Sequence, residues 1–150
     1  MTQSTPDIEP AQPSVAAPRV GVGVLLVDSQ QRVLLTLRRR APEAGSWSIV
    51  GGKVDYLERL EDCAIREARE EAGVEVELIR LLCVTDHVLP LEGQHWVAPA
   101  YLGRVLAGKA ENCEPEKTQE LTWFPLNALP EPLTLTAQRA IAAYLSVASG

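Results

Sequence analysis

Three glutamates stand at i, i+3 and i+4 in one segment: Glu67, Glu70 and Glu71 of Glu58–Gly73, ERLEDCAIREAREEAG. The segment predicts a helix over Leu60–Ala72. It has strong helix formers throughout and no interior glycine or proline, and Gly73 is placed as its C-terminal stop. With Leu60 at zero and an advance of about 100° per residue, Cys63, Ala64 and Ala68 form an apolar face. Arg59, Asp62, Arg66 and Arg69 lie on the far side. Glu67 and Glu71 fall near −20° and +20°, roughly the middle of the apolar stripe, and Glu70 beside them at about −80°. Like charges at this spacing repel by roughly a few tenths of a kcal/mol per pair on a surface, and partial burial raises the cost. A hard divalent cation suits such clustered oxygens, and Mg²⁺ takes them together with phosphate and water. The plainer alternative is a charged, solvated helix.

Other elements must hold that helix. Arg19–Val27, rich in valine and leucine, predicts a buried strand, Asp28–Gln31 a turn, and Val33–Leu37 a second strand. Arg38–Arg40 closes it, and Ala41–Ser46 is a loop. Trp47–Val50 predicts a short strand running into Gly51-Gly52, where the backbone must turn or approach something closely. Val74–Asp86 and His95–Leu106 predict strands around a Leu89–Gln94 loop, with Pro99 implying an edge or a bulge. Ala107–Gln119 is a polar connection, Leu121–Phe124 a short strand and Pro125–Pro132 a turn. Thr136–Val147 predicts a closing helix with a threonine available as N-cap. Strands adjacent in sequence imply an α/β arrangement on a mixed sheet, not a doubly wound parallel one.

The chain of 150 residues favours one domain. Residues 1–18, with four prolines, predict a flexible N-terminal tail and no signal peptide. No apolar stretch is long enough to span a bilayer, so no membrane partner is expected. The net charge of −6 gives no general attraction to a polyanion, which argues against a nucleic-acid polymer. It leaves room for a small phosphorylated molecule held by local cations or a metal. Cys63, Cys83 and Cys113 are odd in number and widely spaced, with no zinc or disulfide pattern; reduced thiols in a cytoplasmic protein are the expectation.

Gly52, five residues, Glu58, seven residues, then Arg66-Glu67-Ala68-Arg69-Glu70-Glu71-Ala72-Gly73-Val74 resembles the Nudix box, G-x5-E-x7-R-E-U-x-E-E-x-G-U with U apolar. All seven fixed residues over 23 positions match. VGVGVLLVDSQQRVLLTLRRR before the box and ELTWFPLNALP after it also look like Nudix domains, so the resemblance runs from about Arg19 to Tyr144. It implies a Nudix hydrolase domain over 19–150, an α/β/α sandwich around a central mixed β-sheet. It further implies that Glu67, Glu70, Glu71 and the Gly52 carbonyl hold Mg²⁺ or Mn²⁺, and that Glu58 pairs with Arg66 to fix the loop against the helix. A glycine lets its carbonyl approach an ion, and an Arg–carboxylate pair is directional. The implied reaction is attack of water on a P–O–P linkage, with metal ions neutralising oxygens and lowering the pKa of water. Glu67 or Glu70 takes the proton.

The family often takes a further carboxylate from the loop before the late strand. Glu116 and Glu120 are candidates, Glu120 the favoured one. Arg38 stands where members often place a phosphate-contacting cation, with Arg39 and Arg40 beside it. His87 and His95 are candidates to line a base pocket, against a structural role for each, and Trp47 and Trp96 are large aromatics near the expected cleft, with core packing the default for both. Two positions depart from the family: Val50 replaces the usual proline and Leu57 the usual glycine before Glu58. Leu57 is expected to anchor the loop by packing. The segment Glu114–Lys117 followed by Trp123 looks most like enzymes that cleave a nucleoside triphosphate to monophosphate and pyrophosphate. The rivals are an ADP-ribose or nucleotide-sugar pyrophosphatase and a non-catalytic nucleotide-binding module; retention of every box glutamate argues against the latter. A homodimer is the base-rate expectation.

Overall fold

A computed structural model describes residues 16–149. The tail expected at 1–18 lies mostly outside the described residues; Ala16–Pro18 carry no regular structure and are exposed. Six strands and two α-helices follow: β1 Arg19–Leu26, β2 Arg32–Arg38, β3 Trp47–Lys53, α1 Leu60–Ala72, β4 Glu75–Leu89, β5 Gln94–Ala107, β6 Thr118–Pro125 and α2 Leu135–Ser149. The strands form one sheet in the order β4-β5-β1-β3-β2-β6. Only β1 and β5 run parallel; the other neighbours are antiparallel. No helix among the described residues is long and apolar enough to cross a membrane.

Alternation along the strands divides the core into two layers. Val22, Val24 and Leu26 of β1, with Leu34, Val50 and Tyr101, pack against Cys63, Ala64, Ala68 and Ala72 of α1. Leu25, Val33, Leu35, Trp47, Ile49 and Ala100 pack against Ala137, Ala140 and Ile141 of α2. The result is an α/β/α sandwich around a mixed sheet. Each fully buried leucine contributes roughly 1.5–3 kcal/mol, so Leu25, Leu26, Leu34 and Leu35, all at 0% exposure, fix β1 and β2 strongly.

Helix α1 ends as expected, with Gly73 in the left-handed region and its N–H on the Arg69 carbonyl at 3.0 Å. Helix α2 starts one residue earlier than expected because Thr134 is the cap: its Oγ1 accepts from Ala137 N at 3.2 Å. Pro99 does not lie at an edge, since β5 is interior. The irregularity lies beside it instead, on the neighbouring strand: β4 shifts register between Leu81 and Cys83, which pair with Tyr101 and Ala100.

Strand β3 shapes the site. Its first half, Trp47–Ile49, pairs with β2, whereas Val50–Lys53 pairs with β1. Strands β1 and β2 meet at the Val27–Val33 bridge and diverge around β3. The backbone at Gly51–Gly52 therefore has β1 on one side only, and its other edge is left for a different partner.

Candidate active site

That partner is α1. Gly51 N–H donates to Glu71 Oε1 at 3.0 Å. Burial pushes the Glu71 carboxyl up to about 8; the Gly51 N–H opposes this, Glu67 and Glu114 reinforce it, and Arg38 relieves it in part. Glu67, at 13% side-chain exposure, is also held above its ordinary value by burial, with Arg66 opposing and Glu70 and Glu114 adding. Glu70 is 48% exposed. Thus the two glutamates in the apolar stripe are half-buried and the one beside it is exposed. A Cβ on Gly52 would lie 2.4 Å from Glu67 Oε2, so only glycine admits that carboxylate.

Arg66 organises the cluster. Its Nε donates to Glu58 Oε2 at 2.7 Å and its Nη2 to Glu58 Oε1 at 3.0 Å, a bidentate pair. Nη2 also donates to the Lys53 carbonyl at 3.2 Å. Glu58 in turn accepts the Asp55 N–H at 3.0 Å, and its carboxyl is drawn down to about 2, chiefly by Arg66. Nη1 of Arg66 lies 3.2 Å from Glu67 Oε2 and 3.0 Å from Glu70 Oε1. Glu67 and Glu70 thus face the guanidinium, and no three acidic, histidine or cysteine side chains among the described residues converge tightly on one point. The donor set nevertheless fits a hard divalent cation: every donor is oxygen, and the glycine cradle is one that a Cβ would fill. To hold such a cation, Glu67 and Glu70 would turn from the Arg66 Nη1 that they now face.

Two clefts meet here. The first holds the carboxylates together with Arg38, Arg40, Lys53, Glu114 and Lys117. The second, of about 270 Å³, runs between the sheet and the start of α2, past Glu43, His87 and Trp96. Thr36, Arg38, Gly51, Gly52, Lys53 and Glu71 line both.

Glu114, not Glu116 or Glu120, is the further carboxylate that the fold brings to the cluster. The loop after β5 is pinned to the end of α1 by Glu111 N–H on Ala72 O and Cys113 N–H on Glu71 O. The N–H groups of Lys117 and Thr118 both donate to the Glu114 carbonyl at 2.9 Å, which turns Glu114 and Lys117 inward. Glu116 is exposed and lines neither cleft. Glu120 stands opposite Leu37, which packs on the α2 side; facing residues share a side of the sheet, so Glu120 points away from Glu67. Alternation along β2 puts Arg38 on the same side as Leu34, where it lines both clefts and its Nε donates to Pro42 O at 2.7 Å; the register shift after Leu37 sets Thr118, not Gln119, opposite it. His87 and Trp96 reach the second cleft. Trp47 is in the core, edge-on to Phe124 at 4.8 Å, and His95 lies outside, on Asp86 at 2.8 Å.

Comparison with known proteins decides the family. The NUDIX domain family matches residues 17–144. The chain belongs to the Nudix family. It is similar to the crystal structure of a MutT NUDIX hydrolase from Burkholderia pseudomallei, with a TM-score of 0.81 and 46% identity over 85% of this chain and 98% of that one. It is 31% identical to the 8-oxo-dGDP phosphatase NUDT18 of Homo sapiens, over 87% of this chain and 40% of that protein. It is 33% identical to an NAD-capped RNA hydrolase of Pseudomonas aeruginosa, over 81% of this chain and 41% of that protein. The chain thus spans about two fifths of the length of these curated relatives. Nudix hydrolases act on pyrophosphate bonds and generally need divalent cations such as Mg²⁺ or Mn²⁺.

The two departures from the usual Nudix box have different consequences. Val50 is fully buried, opposite Val24 on β1, and contributes to the α1-side core. Leu57 does not anchor its loop: it is 86% exposed, with φ +69°. The loop keeps the left-handed turn that glycine would adopt freely and holds it with the Asp55–Glu58–Arg66 bonds instead. Cys63, Cys83 and Cys113 are all free.

Proposed function

We propose that this Nudix domain hydrolyses a nucleoside triphosphate to the monophosphate and pyrophosphate. The observation that carries the reading is the half-buried pair Glu67 and Glu71 against Gly51–Gly52, at the junction of a cation-rimmed cleft and a base-sized one. Glu67, Glu70, Glu71 and the Gly52 carbonyl would hold the Mg²⁺ or Mn²⁺, with Glu114 in the further position first sought at Glu120. Such a cation neutralises phosphate oxygens and lowers the pKa of water. Water attacks one phosphorus, the bridging P–O bond breaks, and Glu67 or Glu70 receives the proton. Glu58 positions Arg66, which holds the Lys53 carbonyl and so the turn after Gly52. Arg38, Arg40, Lys53 and Lys117 around the carboxylates suit a polyphosphate chain. That favours a triphosphate over ADP-ribose, whose second phosphate ends in a sugar. The net charge of −6 favours a small nucleotide over an RNA chain.

The test is phosphate release from nucleoside triphosphates, nucleotide sugars and ADP-ribose, coupled to pyrophosphatase or alkaline phosphatase as each substrate requires. It is run with Mg²⁺ or Mn²⁺ and with EDTA. Triphosphate turnover that EDTA abolishes supports the reading. Turnover of ADP-ribose alone replaces the substrate, and binding of a nucleotide without turnover points to a non-catalytic module.

A further inference from the structure

The second cleft contains one acidic group that the reaction does not use. Its floor is the α2 side of β1 and β5, where the residues in alternation are Gly21, Gly23, Ala98 and Ala100. None projects beyond a methyl group. A Cβ on Gly23 would meet Ile49 Cδ1 at 2.4 Å, and one on Gly21 would meet the Trp96 ring at 3.2 Å, so glycine at these positions lets Ile49 and Trp96 lie close against β1 and shape the slot. Trp96 forms one wall, held by its Nε1–H on Gln94 Oε1 at 2.7 Å and by the Arg19 guanidinium 5.4 Å from the ring centre. A flat slot beside an indole suits a planar ring.

Glu43 stands over this slot and lines the second cleft but not the first. Its backbone has φ +60°, a region that non-glycine residues occupy at a cost. Its carboxylate is anchored twice: Oε2 accepts the Leu135 N–H at the start of α2 at 3.1 Å, and Oε1 lies 3.5 Å from His87 Nε2. Two carboxylate oxygens offer roughly four lone-pair sites, so acceptor capacity remains after both contacts. An ionised carboxylate only accepts. Its best partner on a ring edge is a pair of adjacent N–H donors. Guanine has this pair in N1–H and its exocyclic amine. Adenine and cytosine place an acceptor nitrogen beside their amine, and uracil flanks its one N–H with carbonyls.

We propose that Glu43 is a specificity-determining residue that selects a base with a guanine-type edge, stacked in the slot beside Trp96. This rests on the triphosphatase reading for the reaction but not for the binding.

The test compares kcat/KM for GTP, ATP, CTP and UTP between the wild type and Glu43→Gln, with thermal melting of both. Glutamine keeps an oxygen for the Leu135 N–H and presents an amine where the carboxylate accepted. The wild type is expected to prefer GTP by about 10-fold or more, and Glu43→Gln to lose about 10- to 100-fold on GTP, mostly in KM. The other three substrates should change by less than about 3-fold, a weaker-than-average loss for contacts never made. Equal loss on all four would show that Glu43 only braces α2 and would overturn the proposal, as would a wild type without preference for GTP. If no triphosphate is turned over, the triphosphatase reading has failed. Calorimetric binding of GMP against AMP to both proteins then decides the base assignment: tighter GMP binding that Glu43→Gln removes upholds it, and equal affinities overturn it.

Discussion

Gly52→Ala should separate chemistry from folding. The added Cβ would stand 2.4 Å from both Cδ and Oε2 of Glu67 and 2.7 Å from Oε1, whereas ordinary contact begins at 3.4 Å. The Glu67 carboxylate must therefore retreat by about 1 Å, and a displacement of that size costs roughly 100-fold in rate. The fold should lose little, within about 1 kcal/mol, because what gives way is the end of a flexible side chain. Gly51→Ala makes the comparison sharp. There the Cβ would lie 2.1 Å from the Val22 carbonyl and 2.8 Å from Gly23 Cα, backbone atoms that cannot yield without opening the β1–β3 ladder. That variant should lose roughly 2–4 kcal/mol of stability. The assay is kcat at saturating substrate with excess Mg²⁺, beside a denaturant melt of each protein. Wild-type kcat in Gly52→Ala would refute the placement of Glu67 against the Gly52 turn. A loss of stability as large as that of Gly51→Ala would refute the claim that Gly52 serves the site rather than the fold.

Leu57→Gly should stabilise. Relief of the left-handed strain at φ +69° is worth roughly 1–2 kcal/mol, of which glycine's unfolded entropy returns about half. The expected rise in Tm is ~2–4 °C with kcat unchanged, and a fall would show that the exposed Leu57 makes a stabilising contact. Acid should weaken the protein through Glu58. Its folded-state carboxyl lies at about 2 against an ordinary 4.5, so its contribution is complete above the higher value and disappears as pH falls towards the lower. Urea melts across that window should show a stability slope that Glu58→Gln reduces; identical slopes would mean that Arg66 does not hold the loop through Glu58. Glu70→Gln should cut turnover by roughly 100-fold or more. Its Tm should stay near that of the wild type, because the side chain is 48% exposed, and full activity would remove Glu70 from the site.

Sequence reasoning reached as far as local geometry carries it. In a regular helix of 13 residues, angular position follows from spacing alone. The stripe that contains Glu67 and Glu71 is accordingly the buried one, with Cys63, Ala64, Ala68 and Ala72 at 0% exposure. Glu70, placed beside the stripe, is half exposed. Glu58 and Arg66, eight residues apart, meet because the motif fixes one loop against one helix. Sheet register was less legible. The slip between Leu37 and Arg38 brings Thr118 in place of Gln119 opposite Arg38 at the first cleft, and nothing in RVLLTLR announces it. Pro99 signalled an irregularity but not that it sits in an interior strand.

Glu114 marks where spacing ceases to inform. Glu114, Glu116 and Glu120 share one polar stretch and one residue type, so composition cannot rank them. What ranks them is a pair of backbone bonds across the chain, from Glu111 to Ala72 and from Cys113 to Glu71, which carry the loop onto the end of α1. Glu43 is a stronger instance. It is 44 residues from His87 and 92 from Leu135 in sequence, and gathers them only because the second helix layer closes over the sheet. The divergence of β1 and β2 around β3 links Glu43 to the carboxylate cluster through Glu71. It leaves the Gly51 N–H for Glu71 on one side and opens the flat slot under Glu43 on the other. Changes to the β3 pairing should therefore disturb both clefts together, whereas changes at Glu43 should disturb the second alone.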